Sequence, residues 1–418
     1  MEQATSKSVV RVTRRAADRL RAGHLWVYRT DVESQSEMLE AGAVVTVVDG
    51  RGLALGSAVY SSASQIAARI VSRVPGLTRE QYVQDVCAKV EVALARRWLL
   101  APVSERDNAH RLIFSEADEL PGIVADRYND LVLLQLLTQG TAQDDVRAAL
   151  VEVLRKEFAG AELTVWERPD ARVRELEQLT APAAGALFAS GEAKAKTEFM
   201  LNGLRFEYDA GAGQKTGAFL DQRLNYAAAA RWVEASGKAS KALDVCTYQG
   251  GFALHLAQVC ERVTGVDASR AALEAADRNL ERNPQLRAET DWIEADAFEL
   301  MRAYDDAART DATRKYDAIV LDPPAFAKSR RAAEGALRGY KELNLRALRL
   351  LNAGGTLVTC SCSHHVSLAD FTEVVGAAAN DAGRRVQLLE TRAAASDHPE
   401  VLTLPETRYL KCLILRVD

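Results

Sequence analysis

A strand-like run that ends in an acid and a glycine turn constrains the fold of this chain more than any other feature. The apolar run at residues 242–246 carries Asp244, and Gly250 and Gly251 stand just before a helix-like stretch. Glycine at such a turn lets the backbone approach a ligand, because no Cβ stands in the way. A strand, a glycine turn and a helix in this order are typical of a parallel sheet that brings backbone N–H groups to a nucleotide-like ligand.

Strand-like and helix-like segments alternate from about residue 198 onward. This alternation predicts an α/β domain with a doubly wound, Rossmann-like parallel sheet over residues 198–418. The predicted strands lie at 242–246, 262–267, 290–295, 316–321 and 355–361. The predicted helices lie at 252–260, 269–282 and 340–351, and a hairpin of 386–389 with 409–417 closes the sheet.

The N-terminal part of the chain shows short strands and turns instead. Two apolar runs, at residues 44–48 and 53–60, flank a turn with Asp49 and Gly50, which predicts a hairpin and a small β-barrel over residues 1–76. Residues 77–197 then mix helices with strands and form a predicted central α+β domain. Its elements are predicted as helices at 78–100 and 144–158, strands at 131–137 and 163–167, and a loop or weak hairpin at 180–196.

The composition narrows the classes of protein. The net charge of -5 argues against a general polyanion binder, but residues 1–75 hold ten Lys and Arg against seven Asp and Glu, and residues 326–349 hold seven against two. Two basic regions on an acidic chain suggest that a polyanion binds at a defined place. The alternative is that both regions are ordinary solvated surface. The six cysteines show no paired spacing, and no apolar run is long enough to cross a membrane, so we expect a cytoplasmic protein with reduced thiols.

Two further acids end the strands that follow the glycine turn. Asp267 ends the second predicted strand and is suited to accept hydrogen bonds from both ribose hydroxyls of a nucleotide-like cofactor. Asp296 follows the third strand and is placed to bond the adenine amine. Together with Asp244, these acids at successive strand ends favour a cofactor site. A nicotinamide enzyme, or a plain α/β sheet with acidic loops, is the alternative.

The sequence Asp322-Pro323-Pro324 follows the strand predicted at 316–321. Two prolines cannot continue a central strand, so they fix the loop and leave its carbonyl groups as acceptors. A rigid loop can hold a flat base on which Phe326 stacks, with Asp322 accepting from an exocyclic amine or a protonated ring nitrogen. With the upstream acids, this loop favours S-adenosylmethionine as the cofactor and methyl transfer as the reaction. A structural Pro-Pro turn is the alternative.

A cysteine-rich segment leaves the last parallel strand. Cys360 and Cys362 alternate along it, and His364 follows. A thiolate that adds to carbon 6 of cytosine makes carbon 5 nucleophilic, but a thiol with a pKa of about 8.5 needs a nearby cation or imidazole to activate it. Zinc binding by these three residues is a weaker alternative, because no second ligand pair stands at a useful spacing. Buried, unreactive cysteine is the other alternative and fits Cys87, Cys246, Cys260 and Cys412.

Together these motifs resemble the RlmI-type large-subunit ribosomal RNA cytosine-5 methyltransferases over nearly the whole chain. The segments 24–28, 50–60 and 64–69 resemble that family's N-terminal PUA domain, an RNA-binding β-barrel. The segments 114–118, 120–122 and 126–128 resemble its central α+β domain. Its Rossmann-like class I methyltransferase domain is matched by the segments 214–217, 219–223, 397–399 and 409–411.

The resemblance implies roles for individual residues. Cys362 takes the position of the nucleophile, and Asp322 orients the base. Ala325 and Phe326 stand where some RNA cytosine-5 methyltransferases carry a second cysteine, so product release needs another base. The implied cofactor-binding residues are Phe219, Arg223, Asp244, Gly250, Gly251, Asp267, Asp296 and Asp322, and the implied substrate-binding residues are Pro323, Pro324, Phe326 and Lys328.

We therefore expect an S-adenosylmethionine-dependent enzyme that forms 5-methylcytosine in large-subunit (23S) ribosomal RNA through a covalent cysteine adduct at carbon 6. That RNA is the expected partner and a second copy of the chain a possible one, while no metal and no membrane are expected. Methylation of a nitrogen of guanine or adenine, without a covalent step, is the alternative reaction. An RNA-binding assembly factor without turnover is a third interpretation, which weak cofactor binding combined with tight RNA binding would favour.

Overall fold

The computed structural model describes residues 8–211, 218–326 and 333–418. Within these ranges three sheets follow one another along the chain, and a two-stranded hairpin lies between the second and the third. Clusters of buried apolar side chains fill the space between the sheets and their helices. The units thus follow in the predicted order, a small β unit, an α+β unit and an α/β unit.

A six-stranded sheet forms the first unit. Its strands lie in the order β2-β6-β5-β4-β1-β3 when numbered along the chain. Asp49 shapes the turn of the predicted hairpin, because its Oδ1 accepts from the backbone N–H groups of Arg51 and Leu53. The elements are β1 (Val9–Val12), α1 (Arg14–Arg21), β2 (Trp26–Tyr28), β3 (Val32–Gln35), β4 (Val44–Val48), β5 (Ala54–Tyr60) and β6 (Ile66–Ser72).

A five-stranded sheet with two long helices forms the second unit. Its elements are α2 (Arg79–Leu100), β7 (Ala109–Phe114), β8 (Ile123–Tyr128), β9 (Leu131–Leu136), α3 (Asp144–Glu157), β10 (Thr164–Glu167), α4 (Ala171–Glu177) and β11 (Ala186–Ala189). The strand order is β11-β10-β9-β8-β7, and α3 connects the parallel strands β9 and β10. Thr78 and Gln81 form a capping box that starts α2 close to its predicted first residue. The stretch interpreted as a loop or weak hairpin contains the edge strand β11.

The third unit contains a hairpin and a seven-stranded sheet. Its strands are β12 (Lys196–Leu201), β13 (Leu204–Asp209), β14 (Lys241–Val245), β15 (Arg262–Asp267), β16 (Glu289–Glu294), β17 (Tyr316–Leu321), β18 (Leu351–Ser361), β19 (Val386–Arg392) and β20 (Lys411–Val417). Its helices are α5 (Arg223–Ala235), α6 (Gly251–Leu256), α7 (Arg270–Glu281), α8 (Ala297–Ala308), α9 (Ala333–Leu350) and α10 (Leu368–Ala382). The sheet order is β16-β15-β14-β17-β18-β20-β19. The first five strands are parallel, and β20 runs antiparallel to both of its neighbours.

The doubly wound sheet agrees with its prediction, and the differences lie in the bounds of some elements and in elements that were not predicted. Strands β15 and β17 have the predicted bounds, whereas β18 begins at Leu351 and α6 ends at Leu256, each earlier than predicted. Helices α5, α8 and α10 and the β12–β13 hairpin were not predicted. Asp296 was interpreted only as a strand-end acid, but its Oδ1 also accepts from the N–H groups of Phe298 and Glu299 and so caps α8.

A buried carboxylate joins the third unit to the second. Asp397 is 0% exposed, and its Oδ2 accepts from the backbone N–H of Arg111 in β7 at 2.8 Å. Its Oδ1 lies 3.4 Å from Nη2 of Arg223 and 3.3 Å from Nδ1 of His398. Burial alone would raise the pKa of Asp397, but His398, Arg223 and the Arg111 N–H together hold it well below its usual range. The carboxylate therefore stays charged and fixes the C-terminal loop on the middle sheet.

Replacing Asp397 by Asn should destabilise the protein by about 3 kcal/mol at pH 7, because Arg223 is then buried without its carboxylate. Because the folded pKa is depressed, the wild-type advantage is complete above the unfolded pKa of about 3.9 and is lost progressively as the pH falls from there through the lower folded pKa. Urea unfolding at pH 7 measures the first effect, and repeating it at about pH 2.5, where much of the advantage is gone, measures the second.

Glu334→Gln is the matched control for Asp397→Asn, since it breaks an exposed i,i+4 pair with Arg338 on α9. This control should change the free energy of unfolding by less than about 1 kcal/mol. An Asp397→Asn protein as stable as the control at pH 7 would show that the buried carboxylate does not hold the units together.

Candidate functional site

A cavity of about 580 Å³ opens where the parallel strands of the third unit end. This is the edge at which open α/β sheets bind ligands, and the volume is that of a small-molecule site. Side chains from the ends of β15, β16, β17 and β18 line it, and residues from the loop before β20 complete the wall. Eight of the predicted site residues line this cavity: Phe219, Asp267, Asp296, Asp322, Pro323, Pro324, Phe326 and Cys362.

The turn after β14 is held in an uncommon backbone conformation. Cys246 and Tyr248 have φ angles of 67° and 52°, in the left-handed region that residues with a Cβ rarely adopt. Two hydrogen bonds hold the turn against the next strand, from the Thr247 N–H to the Val266 carbonyl at 2.9 Å and from the Tyr248 N–H to Oδ2 of Asp267 at 3.0 Å. Asp267 therefore shapes the turn as well as facing the cavity.

The two predicted glycines lie beside the cavity rather than in its lining. Gly250 has a φ of 82°, and a Cβ there would lie 2.4 Å from the Leu254 side chain. A Cβ on Gly251 would lie 2.5 Å from the Tyr226 ring, so this position too has no room for a side chain. Both glycines are required by the tight passage from the turn into α6.

Asp244 lies beneath this turn and is fully buried. Its Oδ2 accepts from Oγ1 of Thr247 at 2.6 Å and from the N–H of Ala253 at 2.9 Å. Burial raises the pKa of Asp244 to about 7. The structure thus places Asp244 as a support of the turn and not in the cavity lining, and its predicted contact with a cofactor stays a prediction.

The wall formed by the ends of β15 and β16 fits a nucleoside. Asp267 and Asp296 present carboxylates to the cavity, and between them lie apolar side chains that include Val266 and Phe298. Carboxylate oxygens accept from hydroxyl and amine groups, while apolar side chains cover the faces of a flat base. The arrangement therefore suits the adenosine part of a cofactor. Phe219 stands over this wall, 43% exposed, with its ring centroid 5.0 Å from that of Tyr248.

Arg223 is a fourth predicted residue that the structure places outside this lining, after Asp244, Gly250 and Gly251. Arg223 is buried at the start of α5, where its guanidinium group forms an ion pair with Asp397. Lys328 lies outside the described residues, as do the segments 212–217 and 327–332 that contain parts of the sequence motifs. Their predicted contacts stay predictions.

Asp322 is set in an acidic environment that the sequence did not reveal. Its Oδ1 accepts from Nε2 of Gln222 at 3.0 Å. Burial, together with the charges of Asp221 and Asp244, raises the pKa of Asp322 to about 8. At neutral pH this carboxyl group therefore keeps its proton and can donate a hydrogen bond, whereas the sequence predicted an acceptor only.

Cys362 faces the same cavity across the proline loop. Its Sγ lies 3.9 Å from the carbonyl oxygen of Pro323, to which the thiol donates. Burial, with Asp322 and Asp221, raises the pKa of this thiol to about 12. The hydroxyl group of Tyr340 in α9 forms hydrogen bonds with the hydroxyl groups of Ser361 and Ser363, the residues on either side of Cys362. These bonds fix the turn that carries the cysteine.

Neither Cys360 nor His364 of the cysteine segment belongs to the cavity lining. Cys360 is fully buried and lies opposite Cys412 where β18 pairs with β20, and both cysteines are free thiols. Within the described residues, no group of three His, Cys, Asp or Glu side chains is placed to hold a metal ion. The same residues contain no helix with the length and apolar character needed to span a membrane.

The lining residues that sequence reasoning missed include three polar ones next to Asp322 or to one another, Asp221, Gln222 and Tyr409. Gln222 bonds Asp322, and the Tyr409 hydroxyl donates to Oδ2 of Asp221 at 2.6 Å. All three lie in the segments 219–223 and 409–411, which resemble the family, but the resemblance implied roles only for Phe219 and Arg223 there. A polar side chain within a motif shared with the family was the signal that could have identified Asp221, Gln222 and Tyr409.

Comparisons with known proteins identify the family to which this chain belongs. Residues 115–416 match the family described as S-adenosylmethionine-dependent methyltransferase, and residues 10–73 match the PUA-like domain. The chain is 35% identical over 406 residues to the ribosomal RNA large subunit methyltransferase I of Citrobacter koseri and to that of Escherichia coli SMS-3-5, with 94% of this chain and 95% of each relative covered. A solved S-adenosylmethionine-dependent methyltransferase from Streptococcus mutans superposes with a TM-score of 0.78 at 20% identity, covering 98% of this chain and 99% of its own.

The chain therefore belongs to the S-adenosylmethionine-dependent methyltransferase family, in the group of the ribosomal RNA large subunit methyltransferase I proteins. The predicted family, the fold class and S-adenosylmethionine as the cofactor are confirmed. A further solved methyltransferase with the same fold, at a TM-score of 0.78, is in complex with SAH.

The Asp322 carboxyl group should titrate with a midpoint near pH 8 in the protein without ligands, because burial and two neighbouring acids oppose its ionisation. Carbon-13 NMR of protein labelled at aspartate carboxyl carbons measures this midpoint, and Asp322→Asn identifies the signal. Gln222→Leu should move the midpoint upward, since its hydrogen bond favours the ionised form. A midpoint near the ordinary value of about 3.9 would contradict the description of this environment.

Proposed function

We propose that this protein transfers a methyl group from S-adenosylmethionine to carbon 5 of a cytosine in the RNA of the large ribosomal subunit (23S rRNA). The shared cavity supports this most strongly, because one wall suits the cofactor and the opposite wall holds Cys362 beside Asp322. The names of the relatives support large-subunit ribosomal RNA as the substrate. The match to the PUA-like domain and the basic N-terminal region support RNA binding.

The proposed cofactor site uses the adenosine-like wall. Asp267 accepts from the ribose hydroxyls, Asp296 accepts from the adenine amine, and Phe219 covers the mouth of the site. Asp244, Gly250 and Gly251 act indirectly through the turn they support, and Arg223 acts through Asp397. When bound, S-adenosylmethionine supplies an electrophilic methyl group on a positively charged sulfur.

The proposed reaction begins at Cys362. Its thiolate adds to carbon 6 of cytosine, and the electron pair of the 5,6 double bond moves to carbon 5, which would then take the methyl group as the bond between that carbon and the positively charged sulfur breaks and S-adenosylhomocysteine is left. Water accepts the proton from carbon 5, the electron pair of that C–H bond restores the double bond, and the bond between the Cys362 sulfur and carbon 6 breaks with its electron pair returning to sulfur. The cysteine is thus regenerated.

Asp322 supports this reaction in its protonated form. Addition at carbon 6 pushes electron density onto ring nitrogen 3, and a carboxylic acid that donates a hydrogen bond there stabilises the adduct. Its raised pKa keeps the proton available at neutral pH. Pro323, Pro324 and Phe326 form the surface on which the base lies, and Lys328 is proposed to contact the RNA backbone.

Methylation of a guanine or adenine nitrogen is the second candidate. It is favoured by one observation, the pKa of about 12 of the Cys362 thiol, which makes the free thiol a poor nucleophile. Such a reaction needs no covalent step, so the identity of the methylated nucleoside separates the two candidates.

Cys362→Ala should lower the formation of 5-methylcytidine by more than about a thousandfold, as loss of a covalent nucleophile does. The assay incubates the protein with S-adenosylmethionine and unmodified large-subunit ribosomal RNA and identifies the nucleosides by mass spectrometry. Cys360→Ala is the matched control and should keep its activity, because Cys360 lies outside the cavity. A methylated purine, or an unchanged rate in Cys362→Ala, would exclude the covalent mechanism.

Asp267→Asn should weaken binding of the cofactor by about tenfold or more, because a hydrogen bond to a charged group contributes about 1.5–3 kcal/mol. Isothermal titration calorimetry with S-adenosylhomocysteine measures the dissociation constant. Asp277→Asn is the control, since this exposed aspartate on α7 bonds Trp292 outside the cavity. Equal affinities for the two variants would mean that Asp267 does not contact the ligand.

A further inference from the structure

A buried lysine is fixed against the turn that carries Cys362. Lys411 is the first residue of β20, directly opposite Ser361 in the antiparallel ladder, and it is only 4% exposed. Its Nζ donates to the carbonyl oxygen of Ser363 at 2.7 Å and to that of Tyr409 at 2.8 Å. Ser361 and Ser363 are the two neighbours of Cys362, so Lys411 is held beside the nucleophile by the sheet and by the turn.

The hydrogen-bond acceptors of Lys411 are main-chain carbonyl groups. Among the residues that the structure describes, Lys411 forms no ion pair with a carboxylate. Burial of a cation without a carboxylate partner is unfavourable, and it lowers the pKa of Lys411 to about 8. The charge of the Cys362 thiolate acts in the opposite direction and would retain the proton on Lys411.

The other titratable groups around Cys362 disfavour a thiolate. Asp322 at the end of β17 and Asp221 before α5 both raise the pKa of the thiol, in addition to burial. The charge of Lys411 lowers it. His364 supplies no positive charge to the thiol. Burial, and to a smaller extent the charge of Lys411, lower the pKa of His364, so this imidazole is neutral at neutral pH.

We propose that Lys411 is the positioning residue that activates Cys362, by keeping a proton on Nζ while the neighbouring sulfur is a thiolate. The proposal rests on the proposed function, in which that sulfur attacks carbon 6 of cytosine. The thiol loses its proton to solvent while the ammonium group of Lys411 keeps its own, and the adjacent positive charge stabilises the thiolate until the bond between sulfur and carbon 6 forms. When that bond breaks, its electron pair returns to sulfur beside the same ammonium group.

The test measures the alkylation rate of Cys362 by iodoacetamide between pH 6 and pH 10, with the modified peptide quantified by mass spectrometry in the full chain. Lys411→Gln keeps hydrogen-bond donors for the carbonyl groups but removes the charge. Its alkylation rate at pH 8 should fall by about tenfold or more, the effect of at least one pKa unit. Lys411→Arg retains the positive charge and should stay within about threefold of the wild-type rate.

Lys238→Gln is the matched control, because Lys238 also donates to a main-chain carbonyl, that of Ala353, but lies far from the cavity. It should leave the alkylation rate of Cys362 unchanged, and all variants should alkylate Cys87 at the wild-type rate. Unchanged alkylation of Cys362 in Lys411→Gln, or an equal loss in Lys411→Arg, would overturn the proposal. If Lys411→Gln does not fold, Lys411→Met takes its place, because methionine keeps much of the length of the side chain and also removes the charge; it should show the same loss of about tenfold or more, and a wild-type alkylation rate in this variant would overturn the proposal.

Alkylation requires neither RNA nor cofactor, so this result is independent of whether 5-methylcytidine forms. Absence of 5-methylcytidine from the wild-type protein would contradict the proposed function alone. A wild-type rate of alkylation in Lys411→Gln would contradict the role of Lys411 alone.

Discussion

Burial of titratable groups at the carboxyl edge of the seven-stranded sheet determines what this site can do. In a poorly solvated cavity the neutral form of each group is favoured, and the pKa of Asp322 is raised to about 8, that of Cys362 to about 12, and that of Lys411 lowered to about 8. The site thus holds an acid that keeps its proton and a thiol that ionises more easily when Lys411 beside it is charged. The proposed covalent attack on a pyrimidine ring uses the first as a hydrogen-bond donor and the second, once ionised, as the nucleophile.

The scaffold holds these groups in place through a few well-bonded contacts. The strained turn after β14 is fixed by Asp267 from the side and by Asp244 from below. Tyr340 holds the turn around Cys362, and Asp397 holds the C-terminal loop on the middle sheet. Because the same loop carries Tyr409 and leads into Lys411, the contact between the second and third units also positions the cavity wall.

The sequence predicted the parallel sheet and eight of the residues that line its edge, because apolar runs, strand-end acids and the Asp-Pro-Pro loop are local signals. It did not predict the environment of those residues. Asp322 was interpreted as an acceptor, since the proximity of Asp221 results from tertiary packing of a distant segment. Lys411 was recognised only as part of a motif, because its distance from Cys362 depends on the antiparallel pairing of β18 with β20. Asp244 and Arg223 were assigned to the cofactor, but the structure places both outside the cavity lining.

The covalent bond between Cys362 and cytosine is the central claim, and trapping that bond tests it most directly. Large-subunit ribosomal RNA containing 5-fluorocytidine should form a stable adduct with the protein in the presence of S-adenosylmethionine, because carbon 5 then carries no proton to remove. Protease and nuclease digestion followed by mass spectrometry should identify the peptide with Cys362 joined to the fluorinated, methylated nucleotide. RNA that binds but forms no adduct, or an adduct at another cysteine, would contradict the account.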